Sequence, residues 1–163
     1  MLALDPFAAR LFLPFAALIG LHVAWSDLRG MRIPNGSVVM LALVFVVLGP
    51  FVLPIDVYGA RLLHLVVMLL LGMAMTAMRI MGAGDAKFIA AAAPFIALGD
   101  LHLMFMLLAA SMLAAFATHR GAKHSPLRRL APTWESWDRG REFPMGTALS
   151  TALTLYLMLA AFS

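Results

Sequence analysis

Two aspartates stand where a carboxyl group could do chemistry: Asp27 directly follows an apolar run of the sequence, and Asp85 comes shortly before another. Two further apolar runs lie between them, so a chain that crosses a membrane in each run would bring both aspartates to one face. At about 4 Å two carboxylates repel by about 4 kcal/mol at an effective dielectric of about 20, so such a pair shares one proton near neutrality. The ionised carboxyl can take a proton from water while the protonated one polarises a carbonyl group. The pair therefore has the chemistry needed to hydrolyse an amide bond.

The residues that flank each aspartate suit the edge of a membrane. Asp27 is followed by a basic turn and a Pro-Asn start to the next apolar run. The residues of this block are Arg29, Arg32, Pro34 and Asn35. Asp85 follows Gly82 and Gly84, which remove side-chain bulk, permit a positive φ and would let another backbone approach the carboxyl group. Lys87 is either a snorkelling anchor or a cation that favours the charged form of Asp85.

The composition indicates what must position these residues. Of the 163 residues, 63% are apolar and 12% are charged, and the mean hydropathy is +0.95. Soluble domains are about 45 to 50% apolar and about 25% charged, so this chain lacks the polar surface to cover a globule in water. We expect an all-α polytopic membrane protein in which residues 1–163 form one domain, because helices satisfy their own backbone groups in lipid. The absence of cysteine excludes disulfides, thiol catalysis and cysteine-based zinc sites.

Six apolar runs predict six transmembrane helices. The runs without Asp, Glu, Lys or Arg are 11–26, 33–55, 62–78, 88–99, 101–119 and 143–163. A crossing of about 30 Å takes roughly 17 to 25 residues, so four of these runs are long enough as they stand. The first run reaches that length if it begins at Phe7 and Arg10 snorkels to the interface. The fourth run is short, and we expect it to form a hairpin with the fifth that turns at Gly99 and Asp100.

The distribution of basic residues predicts the orientation of the chain. With six crossings, ten of the 12 Lys and Arg residues fall on one side, and only Arg10 and Arg61 fall on the other. The positive-inside rule then places both aspartates on the cytoplasmic side and both termini outside the cytoplasm. A basic loop over about residues 119–143, which contains Trp134 and Trp137, fits a segment that lies on an anionic leaflet. Whether this loop also holds a substrate stays open. Because topology accounts for the basic excess, we expect no nucleic-acid partner.

The two aspartate blocks resemble the two motifs of type IV prepilin peptidases. Asp27 with Ile33-Pro34-Asn35 resembles the first motif, and Gly82-Ala83-Gly84-Asp85 resembles the second. The second is the GxGD motif, shared in outline with preflagellin peptidases and presenilin-type intramembrane proteases. The resemblance covers nearly the whole chain, whose six predicted helices are similar to the small prepilin peptidases of tight-adherence (Flp) pilus systems. It implies a GxGD aspartic protease-like bundle in the bacterial inner membrane, with both aspartates catalytic.

The resemblance also implies a reaction and a substrate. The enzyme would cleave the short basic leader from a prepilin at the cytoplasmic face, next to the hydrophobic helix of the pilin. Larger members carry a four-cysteine zinc motif and methylate the trimmed pilin, and this chain has no cysteine, so methylation is not implied. The segment from Glu142 through Pro144 to Gly146 resembles a family element that is usually Pro-aromatic-Gly. Met145 replaces the aromatic residue, so we assign no catalytic role there. His22 has no accompanying ligand set, and we expect neither metal nor cofactor.

Three other interpretations stay open. Asp27 and Asp85 could merely end or cap helices, since Asp is a preferred N-cap residue. A small transporter or channel subunit could use them as a proton or cation site, although no repeat pair and no mid-span charge favours it. A non-catalytic assembly factor of a pilus machine would tolerate the replacement of both acids.

Overall fold

The computed structural model describes residues 2–139 and 143–163, and every regular element within them is helical. The α-helices, numbered along the chain, are α1 (Pro6–Gly30), α2 (Asn35–Val52), α3 (Ile55–Ala77), α4 (Ala83–Ala92), α5 (Leu101–Lys123) and α6 (Met145–Ala161). Short 3-10 turns occupy Ala93–Phe95, Leu98–Asp100, Pro126–Leu130 and Glu135–Trp137. The prediction of an all-α protein is confirmed for this part of the chain.

Within the described residues, four helices are long and apolar enough to cross a membrane, namely Pro6–Gly30, Asn35–Val52, Ile55–Ala77 and Leu98–Lys123. By contrast, α6 is a shorter apolar helix of 17 residues and α4 has only 10 residues. The fourth run, predicted as a crossing over 88–99, is not one continuous α-helix. Instead α4 begins earlier, at Ala83, and 3-10 turns follow it. Pro94 lies in the first of these turns, and its missing N–H prevents the α-helical hydrogen bonds from continuing.

Local signals set both ends of α1 and thereby the position of Asp27. The Asp5 carboxylate accepts the N–H of Ala8 at 3.0 Å, and Pro6 occupies the first turn, where a missing N–H costs nothing. At the other end Met31 has a left-handed φ of 51° and donates its N–H to the Asp27 carbonyl at 2.9 Å. Asp27 therefore lies in the last turn of α1.

A buried stripe runs along α1, and α6 packs against this helix. The stripe follows helical spacing and consists of Phe12, Ala16, Gly20, Val23 and Asp27. The buried face of α6 includes Leu149, Leu153, Tyr156 and Leu157. A Cβ at Gly20 would lie 3.2 Å from the Cβ of Ser150, so glycine permits the close approach of the two helices. This packing brings the start of α6 to the end of α1.

The end of the bundle at which α5 begins is closed by a buried polar network. The Asp100 carboxylate accepts the N–H groups of residues 3 and 4 at 2.8 and 3.1 Å, and the Tyr156 hydroxyl at 2.8 Å. The Arg61 guanidinium donates to the carbonyl of Pro94 at 3.1 Å. Asp100 stands in the turn before α5, so the network ties this turn to the segment before α1 and to α6.

Candidate active site

The ends of α1 and α3 and the starts of α2, α4 and α6 surround one open cavity of about 960 Å³. Asp27 and Asp85 both line it. Asp27 is 5% exposed, whereas Asp85 is half-buried. Asp85 lies outside the four candidate spans, and burial, which withdraws water from the charged form, raises the pKa of its carboxyl group. The fold therefore brings the two aspartates to one cavity.

The start of α6 holds the Asp27 carboxyl group. The Gly146 N–H donates to Asp27 Oδ2 at 2.6 Å in a buried hydrogen bond. A Cβ at position 146 would lie 2.9 Å from the same oxygen and 3.1 Å from the Ile33 side chain. Only glycine gives the carboxyl this close approach to the backbone. The sequence alone assigns no role to Gly146, although the nearby Pro144 and Gly146 could have indicated the start of a helix there.

The two glycines before Asp85 leave room for neighbouring side chains, and neither has an unusual backbone angle. Asp85 lies in the first turn of α4, where a carboxylate is favoured by the helix dipole. A Cβ at Gly82 would lie 2.9 Å from Asp85 Oδ2, and one at Gly84 would lie 3.4 Å from the Ile33 Cβ. Gly82 has a φ of −66°, and Gly84 does not fall in the left-handed region either. The positive φ that these glycines permit is therefore not used, and the chain turns at Arg79, where φ is 59°.

The predicted neighbours of the aspartates separate into two groups. Arg32, Asn35 and Lys87 line the cavity, whereas Arg29 and Pro34 are not among its lining residues. The Lys87 Nζ donates to Asn35 Oδ1 at 3.2 Å and so joins the start of α4 to the start of α2. Among the residues that the structure describes, no ion pair joins Lys87 to an acidic side chain. The observed contact of Lys87 therefore connects α4 with α2.

Several lining residues were not singled out from the sequence. They include Thr76, Arg79, Ile80, Met81 and Phe143, and Met145, to which the sequence assigned no catalytic role, lines the cavity as well. Residues 79–81 directly precede the GxGD block, so their proximity could have been read from the sequence, whereas Phe143 and Met145 arrive only through the packing of α6. Within residues 2–139 and 143–163, no three His, Asp or Glu side chains gather as a metal ligand set.

A sequence profile of the type IV leader peptidase family matches residues 14–118. The match covers more than half of the 163 residues and includes both aspartate blocks. The chain belongs to the type IV leader peptidase family. Comparison with curated proteins and with solved structures gave no match. Membership in the leader peptidase family confirms the resemblance at the family level and supports a protease, and the long apolar helices agree with a membrane protein.

In this leader peptidase family member, the segment that follows α5 packs onto the helix bundle. Trp137 is only 4% exposed, and its ring stacks on His119 at 4.9 Å and on Trp134 at 5.6 Å. Trp134 in turn meets Trp25 edge-on at 5.4 Å. The two tryptophans of the segment predicted to lie on a leaflet thus pack against other aromatic side chains of the protein. The end of that predicted loop, residues 140–142, lies outside the described residues.

Proposed function

We propose that this chain is a membrane-embedded aspartic endopeptidase that removes the basic leader from type IV prepilins of the Flp kind. Asp27 and Asp85 form its catalytic pair. The observation that carries the proposal is that both carboxyl groups line one open cavity. A backbone N–H holds the first carboxyl, and the first turn of α4 carries the second. A peptide that enters this cavity can meet both groups.

The pair supplies every proton transfer that hydrolysis requires. The ionised carboxyl takes a proton from water as the water oxygen adds to the carbonyl carbon, and the protonated carboxyl gives its proton to the carbonyl oxygen. The resulting diol returns a proton to the pair as the C–N bond breaks and the leaving nitrogen takes one. The pair ends with the single proton with which it began, and either aspartate can act first as the base.

The proposed location is the bacterial inner membrane, with the site at the cytoplasmic face, six crossings and both termini outside. The ten-to-two division of basic residues supports this orientation. The stretch after Asp85, from the rest of α4 through its 3-10 turns, and the apolar helix α6 would supply the two crossings beyond the four long helices. In this proposal residues 1–163 act as one peptidase domain of the small Flp branch, beside anionic lipid. It needs no cofactor and no nucleic acid, and it does not methylate the pilin.

Neutral isosteres test the assignment. Asp27→Asn and Asp85→Asn are each coexpressed with a candidate Flp-type prepilin in a strain without other prepilin peptidases, and trimming is followed as a gel shift. Both variants are expected to abolish trimming while insertion and expression stay at wild-type levels. Asp56→Asn is the matched control, because Asp56 is exposed in the first turn of α3, at the opposite end of the bundle. Full processing by either site variant, or equal loss in the control, would contradict the assignment.

A further inference from the structure

Five aromatic rings form a continuous row that runs from α1 to the segment before α6. In order along this aromatic row they are Trp25, Trp134, Trp137, His119 and Phe143, and successive ring centroids are 5.4, 5.6, 4.9 and 6.4 Å apart. The row begins two residues before Asp27 and ends three residues before Gly146. It therefore joins the two elements whose hydrogen bond holds the Asp27 carboxyl group.

Trp137 is the middle member of the aromatic row and is held on several sides. It ends the 3-10 turn Glu135–Trp137, and such a helix has three residues per turn, so side chains three positions apart lie one above the other. The indoles of Trp134 and Trp137 accordingly stack with 16° between their planes. The Trp137 Nε1 donates to the carbonyl of Ala131 at 2.7 Å, and the residue is 4% exposed. A buried, hydrogen-bonded indole has little freedom to move, so it can fix the position of its neighbours.

The aromatic row adjoins the catalytic carboxyl group from outside the cavity. Leu28 and Thr147, which directly follow the two hydrogen-bonded residues, line one surface groove together with Trp137. Of the row, only Phe143 is among the described residues that line the catalytic cavity. Any effect of Trp137 on catalysis therefore passes through the residues that it positions.

We propose that Trp137 is a positioning residue of the peptidase, which holds the start of α6 against the end of α1 and so keeps the Gly146 N–H on Asp27. The inference rests on the proposed function and adds to it a residue that touches neither substrate nor reacting atoms. Pro144, the N-cap of α6, forms no side-chain cap hydrogen bond, so packing fixes this helix start. A catalytic group that moves by about 1 Å can lose about 100-fold in rate, so the packing has a direct effect on turnover.

Substitutions of Trp137 test this role in trimming assays with the purified full chain. Trp137→Leu keeps an apolar side chain but removes the ring, and it is expected to lower kcat/KM about tenfold. Trp137→Phe restores a ring that can stack and should return kcat/KM to near the wild-type value. Phe45→Leu is the matched control, because Phe45 is a fully buried ring that stacks on Tyr58 and lies about 15 Å along α2 from Asn35.

The control separates positioning from stability. Phe45→Leu should lower Tm while kcat/KM stays near the wild-type value. Unchanged cleavage by Trp137→Leu, an equal loss of kcat/KM in Phe45→Leu, or no recovery in Trp137→Phe would overturn the proposal.

A double variant tests whether Trp137 acts through the bond to Asp27. If it does, adding Trp137→Leu to Gly146→Ala costs little beyond the loss of Gly146→Ala alone, whereas independent losses multiply. Multiplied losses would contradict the proposal.

Hydrogen exchange gives a readout that does not depend on trimming. Amide deuterium uptake at the start of α6 should rise in Trp137→Leu and stay at the wild-type level in Phe45→Leu. If the wild type does not trim prepilin, the proposed function fails, and exchange still tests the positioning. If the wild type trims and uptake at the start of α6 is unchanged in Trp137→Leu, only the role of Trp137 is wrong.

Discussion

Replacing Gly146 with alanine tests the contact that holds Asp27. The Gly146 N–H donates to Asp27 Oδ2 at 2.6 Å, and an added Cβ would lie 2.9 Å from that oxygen and 3.1 Å from the Ile33 side chain. Because Cβ contacts under 3.0 Å essentially never occur, the carboxyl group or the start of α6 must move. A hydrogen bond to a charged group contributes about 1.5–3 kcal/mol, and about 1.4 kcal/mol is tenfold in rate, so kcat/KM should fall about 10- to 100-fold.

The assay measures prepilin trimming by purified Gly146→Ala protein together with its Tm. Gly20→Ala is the matched control, because its Cβ would lie 3.2 Å from the Ser150 Cβ in the same α1–α6 interface, about two turns from Asp27. We expect the control to lower Tm while kcat/KM stays near the wild-type value. Wild-type cleavage by Gly146→Ala, or an equal loss in the control, would refute the positioning role of Gly146.

Two further predictions concern charge and burial. Burial raises the pKa of Asp85, so the stability contributed by this group is present below its unfolded pKa of about 4 and is lost as the pH rises through the folded pKa. The Tm of Asp85→Asn relative to wild type should therefore increase between about pH 4 and pH 8, and a constant difference would contradict this. Asp100→Asn replaces one acceptor oxygen in the network with residues 3 and 4 and Tyr156. It should reduce the free energy of unfolding by about 1.5–3 kcal/mol and leave trimming intact. Denaturant titration in detergent measures this effect, and unchanged stability or lost trimming would count against it.

The sequence could predict that Asp27 and Asp85 lie at the same end of the bundle, because this depends only on the number of long helices between them. Two long apolar helices, α2 and α3, separate the aspartates and return the chain to the same end of the bundle. The backbone angles near them could not be predicted from glycine content. The left-handed residues are Met31 and Arg79, where the chain leaves α1 and α3. Nothing in the chemistry of methionine or arginine favours such angles, so the packing of the helices imposes them.

Two further differences separate the structure from the sequence-based prediction. One is a contact between residues that are distant in sequence, and the other is the start of a helix that contains charged residues. The bond between Gly146 and Asp27 joins residues 119 positions apart, so only the packing of α6 along α1 creates it. Because charged residues bound the apolar runs, the sequence predicts that Asp85 and Lys87 precede the fourth helix. In the structure both lie inside α4, since an aspartate in the first turn stabilises a helix.

The bond from α6 makes the two oxygens of the Asp27 side chain inequivalent. A backbone N–H prefers an oxygen without hydrogen, so while Gly146 occupies Oδ2, any proton that Asp27 carries resides on Oδ1. Inhibitors that mimic the tetrahedral intermediate would accordingly engage Asp27 through a single oxygen. A compound designed to bridge both oxygens would first have to displace the beginning of the last helix.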